Sequence, residues 1–310
     1  MRAAVIVFLP LLAASCGSQL PEPQAPGQRI SPAALAELHG PASAPVEPFR
    51  VVGDIYYVGA ANIASYLITT PQGHILLDTG TREMTPVVTA NITKLGFKLE
   101  DVKILLSGHA HFDHVQGHAA IQRATHAQVM ALGDDAAALE AGQDRSPLGA
   151  EGWEPVHVDR VLHDGDVVTL GTASLTAHWI PGHTPGCTVW TTSVRDHDQP
   201  HAYEVAFYAC AGPNDSVQLI GNRAFPDLVG QTLAGFAHLR KLRPDIWLLM
   251  HPGDQLTPKV RAAIAAGSQP HPLVDPGGWN QMLADSEREF RARVHDEQVE
   301  RAHSARPSQQ

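Results

Sequence analysis

Four side chains able to ligate a metal stand within the six residues His109-Ala110-His111-Phe112-Asp113-His114, directly after the apolar run Val102-Lys103-Ile104-Leu105-Leu106. No other stretch limits the fold as tightly. The run has the length and composition of a buried strand, Ser107 and Gly108 break it, and His118 to Thr125 resumes a helical mixture of apolar and polar residues. The ligands therefore sit on a strand-to-helix loop, where exposed backbone at the carboxyl edge of an open sheet lets side chains converge. Imidazole suits zinc, copper, iron and nickel, and a neighbouring carboxylate adds a hard, anionic ligand that helps to hold a second ion. Zinc is the first expectation, and the cluster reads as half of a two-metal site.

The chain carries 18 His, so a lone imidazole is weak evidence for a metal. His126, His157, His197, His201 and His271 are read as ordinary surface or structural histidines. Two others end buried strands in Gly/Pro-fixed turns: His183 in Ile180-Pro181-Gly182-His183-Thr184-Pro185-Gly186, and His251 in Leu248-Leu249-Met250-His251-Pro252-Gly253. Taken singly, either would be a hydrogen-bonded structural residue. Together with the first cluster they supply the ligands that a second half of the site needs.

At 310 residues with 44% hydrophobic content, the chain can build a sizeable core. A formal net charge of -10 and the lack of any Lys/Arg-rich block exclude the basic footprint of a nucleic-acid binder. Met1-Arg2 followed by the apolar run Ala3 to Ala14 has the form of a secretory signal, too short to span a bilayer comfortably. Ala13-Ala14-Ser15-Cys16-Gly17 resembles a bacterial lipobox, with Ala13 where Leu is more usual, so the expectation is a signal peptide over residues 1–16. Lipid attachment at Cys16 and ordinary cleavage nearby both remain open. Residues 17–47, rich in Pro, Ala, Ser and Gln, read as a flexible lead-in, and residues 48–310 as one domain.

Short β-like runs at Val51-Val52, Ile55 to Val58, Ala64 to Thr69 and His74 to Asp78 suggest a meander. A helix from Thr85 to Leu95, strands at Ile104 to Leu106 and Val129 to Ala131, and a helix after the cluster then alternate. A second half repeats the order: strands at Val167 to Leu170 and Leu175 to Ile180, a hairpin, a helix from Leu228 to Leu242 and a strand at Ile246 to Met250. Trp279 to Val299 spaces Met282, Leu283, Ser286, Phe290 and Val294 as an amphipathic helix. Two facing sheets with helices outside would satisfy this pattern. Cys187 and Cys210 lie about equally far from the hairpin turn, so they could face each other as a disulfide or remain two buried thiols.

These residues resemble the metallo-β-lactamase superfamily. The cluster is similar to its His-x-His-x-Asp-His motif, Ile75-Leu76-Leu77-Asp78-Thr79-Gly80 to the strand before it, and His183 and His251 to its later ligands. The resemblance covers roughly residues 50 to 295 and implies an α/β fold, a four-layer αβ/βα sandwich with a zinc pair at one edge. It assigns His109, His111 and His183 to the first zinc, and Asp113, His114 and His251 to the second.

Within the superfamily, glyoxalase-like and lactonase-like enzymes carry a bridging Asp just after the strand that here is Val205 to Ala209. This chain continues Cys210-Ala211-Gly212-Pro213-Asn214, and resembles subclass B3 β-lactamases instead. That resemblance implies a monomeric periplasmic hydrolase, lipid-anchored if Cys16 is modified. It would open penicillins, cephalosporins or carbapenems with a metal-bound hydroxide oriented by the catalytic Asp113, and so confer antibiotic resistance. The serines that commonly bind the substrate carboxylate are replaced here, leaving Asn214 or Ser216 to serve. The competing readings are an exported zinc lactonase or thioester hydrolase of the same fold, and a non-catalytic zinc-binding lipoprotein.

Overall fold

The computed structural model describes residues 30–144, 146, 151–196, 201–210, 212–215 and 217–304. The signal and lipobox expectations, with Cys16, lie outside these residues, as do His197 and Ser216. A seven-stranded sheet contains β1 (Phe49–Val52), β2 (Ile55–Tyr57), β3 (Tyr66–Thr70), β4 (Gly73–Leu77), β5 (Val102–Leu106), β6 (Gln128–Leu132) and β7 (Arg160–Leu162) in chain order. Its first four strands are antiparallel and the rest run parallel to β4. A five-stranded sheet has the order β12-β11-β10-β9-β8. It comprises β8 (Val167–Leu170), β9 (Ala173–Trp179), β10 (Thr188–Arg195), β11 (Ala202–Tyr208) and β12 (Ile246–Leu249).

Alternating side chains create the layers. In β4, Ile75 and Leu77 enter the core between the sheets, whereas Leu76 packs outward; in β5, Ile104 and Leu106 point inward and Leu105 outward. Such strands, buried on both faces, appear in the sequence as continuous apolar runs. Val205 and Phe207 of β11 meet the same central core from the other sheet, while Ala206 and Tyr208 face the helices beyond.

The outer layer on the first sheet contains α2 (Met84–Lys94), α3 (Phe112–Val115), α4 (His118–Thr125) and α5 (Gly133–Ala141), preceded in the chain by α1 (Pro32–His39). On the second sheet, α6 (Leu228–Leu239) and α8 (Pro276–Ser304) share a third apolar cluster. Helix α7 (Pro258–Ala265) packs instead against β1 of the first sheet, with Val260 and Ile264 on the central core. Trp279, Leu283, Glu287 and Phe290 form the buried stripe of α8 at helical spacing. The result is the expected αβ/βα sandwich.

Some differences from the sequence reading have plain physical causes. The lead-in is not loose as far as residue 47, because Ser31 caps α1 and Ile30, Leu35 and Leu38 pack against the outer cluster of the first sheet. Packing on the body, which no local pattern reveals, holds this short helix. Helix α5 escapes notice because its Ala-rich sequence has little periodicity, and β7 because a three-residue strand is too short to show alternation.

The hairpin resolves the cysteines. The register runs from Trp190 opposite Phe207 to Arg195 opposite Ala202, and its extension toward the site sets Cys187 opposite Cys210. They form a disulfide, with Cα atoms 6.5 Å apart. Of the histidines read as ordinary, His126 ends α4 in the left-handed conformation at φ 55°, and the buried His271 ring donates to the Val51 carbonyl at 3.0 Å.

Candidate metal centre

Every residue of the centre follows the end of a strand. His109, His111, Asp113 and His114 come after β5, His183 after β9, His251 after β12, and Asp78 directly after β4. Gly108 lets the first loop descend between the sheets: a Cβ there would lie 2.5 Å from that of Ala209. Across this join the Thr188 amide donates to the Gly108 carbonyl at 2.7 Å, and the buried Trp190 indole donates to the Ser107 carbonyl at 3.0 Å.

Two ligand sets result. Ring or carboxylate atoms of His109, His111 and His183 lie within 4.8 Å of one another, and so do those of Asp113, His114 and His251. The sets adjoin, with the His109 and His114 ring centroids 4.0 Å apart. All six residues assigned by resemblance therefore converge. Asn214 lines an adjacent cavity of about 250 Å³ with His183 and Arg293.

Hydrogen bonds to the outer ring nitrogens choose which nitrogens face inward. His183 Nδ1 donates to the Gly212 carbonyl at 3.0 Å, His251 Nδ1 to the Asn62 carbonyl at 2.9 Å, and His114 Nδ1 to the Asp78 carboxylate at 2.6 Å. Each turns Nε2 toward the other ligands, and that of His251 lies 3.3 Å from Asp113 Oδ2. His111 is turned the other way: its Nε2 meets Ser146 Oγ at 2.9 Å, and that hydroxyl donates to Asp144 at 2.8 Å, so Nδ1 is the free atom.

Asp78 reaches His114 from an unusual backbone. Its φ of 59° is costly for a residue with a Cβ, and in exchange one carboxylate oxygen takes His114 while the other accepts the Gly108 amide at 2.8 Å. Asp135, in the first turn of α5, joins the other two loops. Its buried carboxylate accepts from the Ala110 amide at 2.8 Å, Thr184 Oγ1 at 2.7 Å and the Gly186 amide at 2.8 Å. Burial pushes its pKa up to about 6 against the pull of these donors.

Sequence reasoning gave none of these supports a role. Asp78 at least had a visible position, at the end of a strand beside the ligand strand. Asp135, Asn62 and Ser146 carry no signal short of the folded chain.

The electrostatics suit cation binding. Burial and the crowd of neighbouring imidazoles hold His109 well below its ordinary pKa, and His111 and His183 fall to about 4 and about 3, chiefly through burial. Their lone pairs are thus free near neutral pH. For His114, burial opposes the charged form, but the Asp113 and Asp78 carboxylates outweigh it and raise the pKa. Burial likewise opposes ionisation of Asp113, yet His114 and His251 hold it far below the carboxylate range.

Both ring nitrogens of His109 and Nε2 of His114 are buried with no hydrogen-bond partner among the described residues. Orphaned nitrogens of this kind are costly unless something binds them. A divalent metal fits, because one set offers three imidazoles and the other two imidazoles and a carboxylate.

Solved structures share this architecture. The FEZ-1 metallo-β-lactamase from Legionella gormanii is 35% identical, with a TM-score of 0.77 over 83% of this chain and 98% of its own. BJP-1, a subclass B3 metallo-β-lactamase of Bradyrhizobium japonicum, is 35% identical, with a TM-score of 0.74 over 84% and 98%. The class B3 di-zinc metallo-β-lactamase LRA-12 from an Alaskan soil metagenome is 30% identical, with a TM-score of 0.75 over 82% and 96%. A profile of the metallo-β-lactamase superfamily matches residues 58–196. The chain belongs to that superfamily. A shorter likeness, 37% identity over 82 residues, links it to a hydroxyacylglutathione hydrolase of Anaeromyxobacter dehalogenans, and spans only 26% of either protein.

Proposed function

We propose that the protein is an exported, zinc-dependent β-lactamase of the subclass B3 kind, with His109, His111 and His183 holding one ion and Asp113, His114 and His251 a second. The observation that carries this reading is the convergence of those two ligand sets, with both ring nitrogens of His109 and Nε2 of His114 buried and unpartnered among the described residues. Where thioester-cleaving relatives are expected to place a bridging Asp, this chain has Cys210, tied to Cys187. The apolar segment after Arg2 and the disulfide both support an oxidising compartment outside the cytoplasm.

Bound divalent ions would supply Lewis-acid polarisation of the scissile carbonyl and lower the pKa of water. The protein supplies the orientation. Asp113 Oδ2 lies 3.3 Å from His251 Nε2 and 3.5 Å from His114 Nε2, so the ionised carboxylate stands where it can align the attacking water and take its proton. The hydrogen bonds that the rings donate to Asp78, Asn62 and Gly212 keep the imidazole faces fixed during the reaction.

The side cavity fits the substrate's free carboxylate. Asn214 Nδ2 is buried there with no acceptor among the described residues, and Arg293 braces the loop by donating to the Pro213 carbonyl at 2.7 Å and the Asn214 carbonyl at 2.8 Å. Ring opening would give a second carboxylate and a secondary amine.

Steady-state assays against nitrocefin, imipenem, a lactone and a glutathione thioester test the reading. Expected are β-lactam hydrolysis lost on chelation and restored by zinc, and two zinc ions per chain by metal analysis. Thioester turnover without β-lactam opening would instead favour the relation to the hydroxyacylglutathione hydrolase.

A further inference from the structure

On the outer face of the second sheet, away from the centre already described, Asp164, His178 and His238 come together from three elements. His178 stands on β9, His238 in the last turn of α6, and Asp164 in the turn between β7 and β8. One candidate ligand atom from each lies within 4.8 Å of the other two. His178 Nδ1 and His238 Nε2 are 3.1 Å apart. Two nitrogens bound at about 2.0–2.1 Å to a tetrahedral zinc would be separated by about 3.3 Å, so little movement would admit an ion.

The supports resemble those of the main centre. His178 Nε2 is held at 2.8 Å by Thr191 Oγ1, which fixes the ring and directs Nδ1 toward His238. Asp164 uses Oδ1 to accept the Trp179 amide at 2.9 Å, while Oδ2 lies 3.9 Å from His238 Nδ1, the ring nitrogen other than the Nε2 that meets His178, so the carboxylate must swing to share an ion with Nε2. The Asp164 and His238 side chains are 45% and 31% exposed, so an ion can enter from solvent.

We propose that Asp164, His178 and His238 form a separate, solvent-accessible site for a zinc-like divalent transition-metal ion, with water completing the coordination. Two imidazoles and one carboxylate form a donor set matched to such ions rather than to calcium or magnesium. The ion would link β9, α6 and the β7–β8 turn, and β9 is the strand that leads to His183. Its role is therefore a clamp outside the reaction.

The test is zinc titration of the full protein already loaded at its main centre, read by metal analysis and by thermal unfolding. Expected is one further zinc per chain and a rise in Tm. Both should vanish in His238→Ala while hydrolytic turnover at zinc levels that fill only the main centre is unchanged, and His251→Ala should keep the added site. Asp164→Asn retains an acceptor for Trp179 but loses the anionic ligand, and should weaken the added site without unfolding the turn. Equal zinc binding by wild type, His238→Ala and Asp164→Asn would overturn the proposal, as would no zinc beyond the main centre in the wild type.

Discussion

The two halves of the candidate centre are built from similar ligands but face different surroundings. His109 and His111 are 2% and 4% exposed at the bottom of the join between the sheets, whereas the His251 side chain is 41% exposed at the rim. The buried half is secured by Asp135, which ties its two loops together; the open half contains Asp113 and is anchored to Asp78 and Asn62. Burial keeps the imidazoles of the first half neutral, while carboxylates beside His114 favour its charged form. The contrast rests on one ligand in each half, since His183 lines the side cavity and His251 stands at the rim, while the other four ligands are buried.

The largest expected effect comes from the open half. Asp113→Ala removes a ligand and the proposed proton acceptor together, and should lower kcat/KM by at least roughly 10³-fold. Retention of wild-type turnover would detach the chemistry from this half.

Chelation should separate the halves in time. Loss of zinc to a colorimetric chelator is expected in two phases, the faster belonging to the Asp113 side and absent in His251→Ala. A single phase for the wild type would remove the distinction between a closed and an open half.

Asp135→Asn acts on the closed half. An amide cannot accept from three donors in the same geometry, and its NH₂ faces a donor, so a stability loss of about 2–3 kcal/mol is expected by denaturant unfolding. Its pH dependence carries a sign. The folded-state pKa is raised from 3.8 to about 6, so folding takes up a proton there. In the metal-free protein, the stability advantage of Asp135 over the non-titrating Asn should be full below about pH 4 and shrink as the pH rises through 6. A difference independent of pH would show that Asp135 keeps an ordinary carboxylate pKa.

The smallest effect should come from a histidine in neither half. His126→Gly relieves a positive φ at the end of α4 and is expected to raise stability by about 0.5–1 kcal/mol with turnover unchanged, measured by thermal unfolding and the same assay. A loss of activity would give His126 a role that its place at a helix end does not explain.

Much of this molecule was written locally. Double-sided burial of β4 and β5 made their apolar runs legible, and four potential ligands behind β5 announced the centre before any partner was known. The equal spacing of Cys187 and Cys210 about a turn allowed the facing that the hairpin register then fixed. These are short-range patterns, repeating every two or four residues, and sequence displays them directly. The Gly/Pro-fixed turns after two later strands offered His183 and His251 as partners, and the resemblance to a known family assigned each of them to one half of the centre.

Tertiary structure decided what depends on distant segments meeting. Asp135 bonds to residues 25 and 51 positions away, and His251 to the Asn62 carbonyl 189 positions away, separations at which no periodicity survives. The same holds for the packing of α1 and for the meeting of Asp164, His178 and His238. Sequence thus determined which chemistry the chain carries and which strands present it. Only folding decided which nitrogen of His111, His114, His183 and His251 turns inward, and which ligands are buried and which stand at the rim, because those properties belong to neighbours that the chain brings together last.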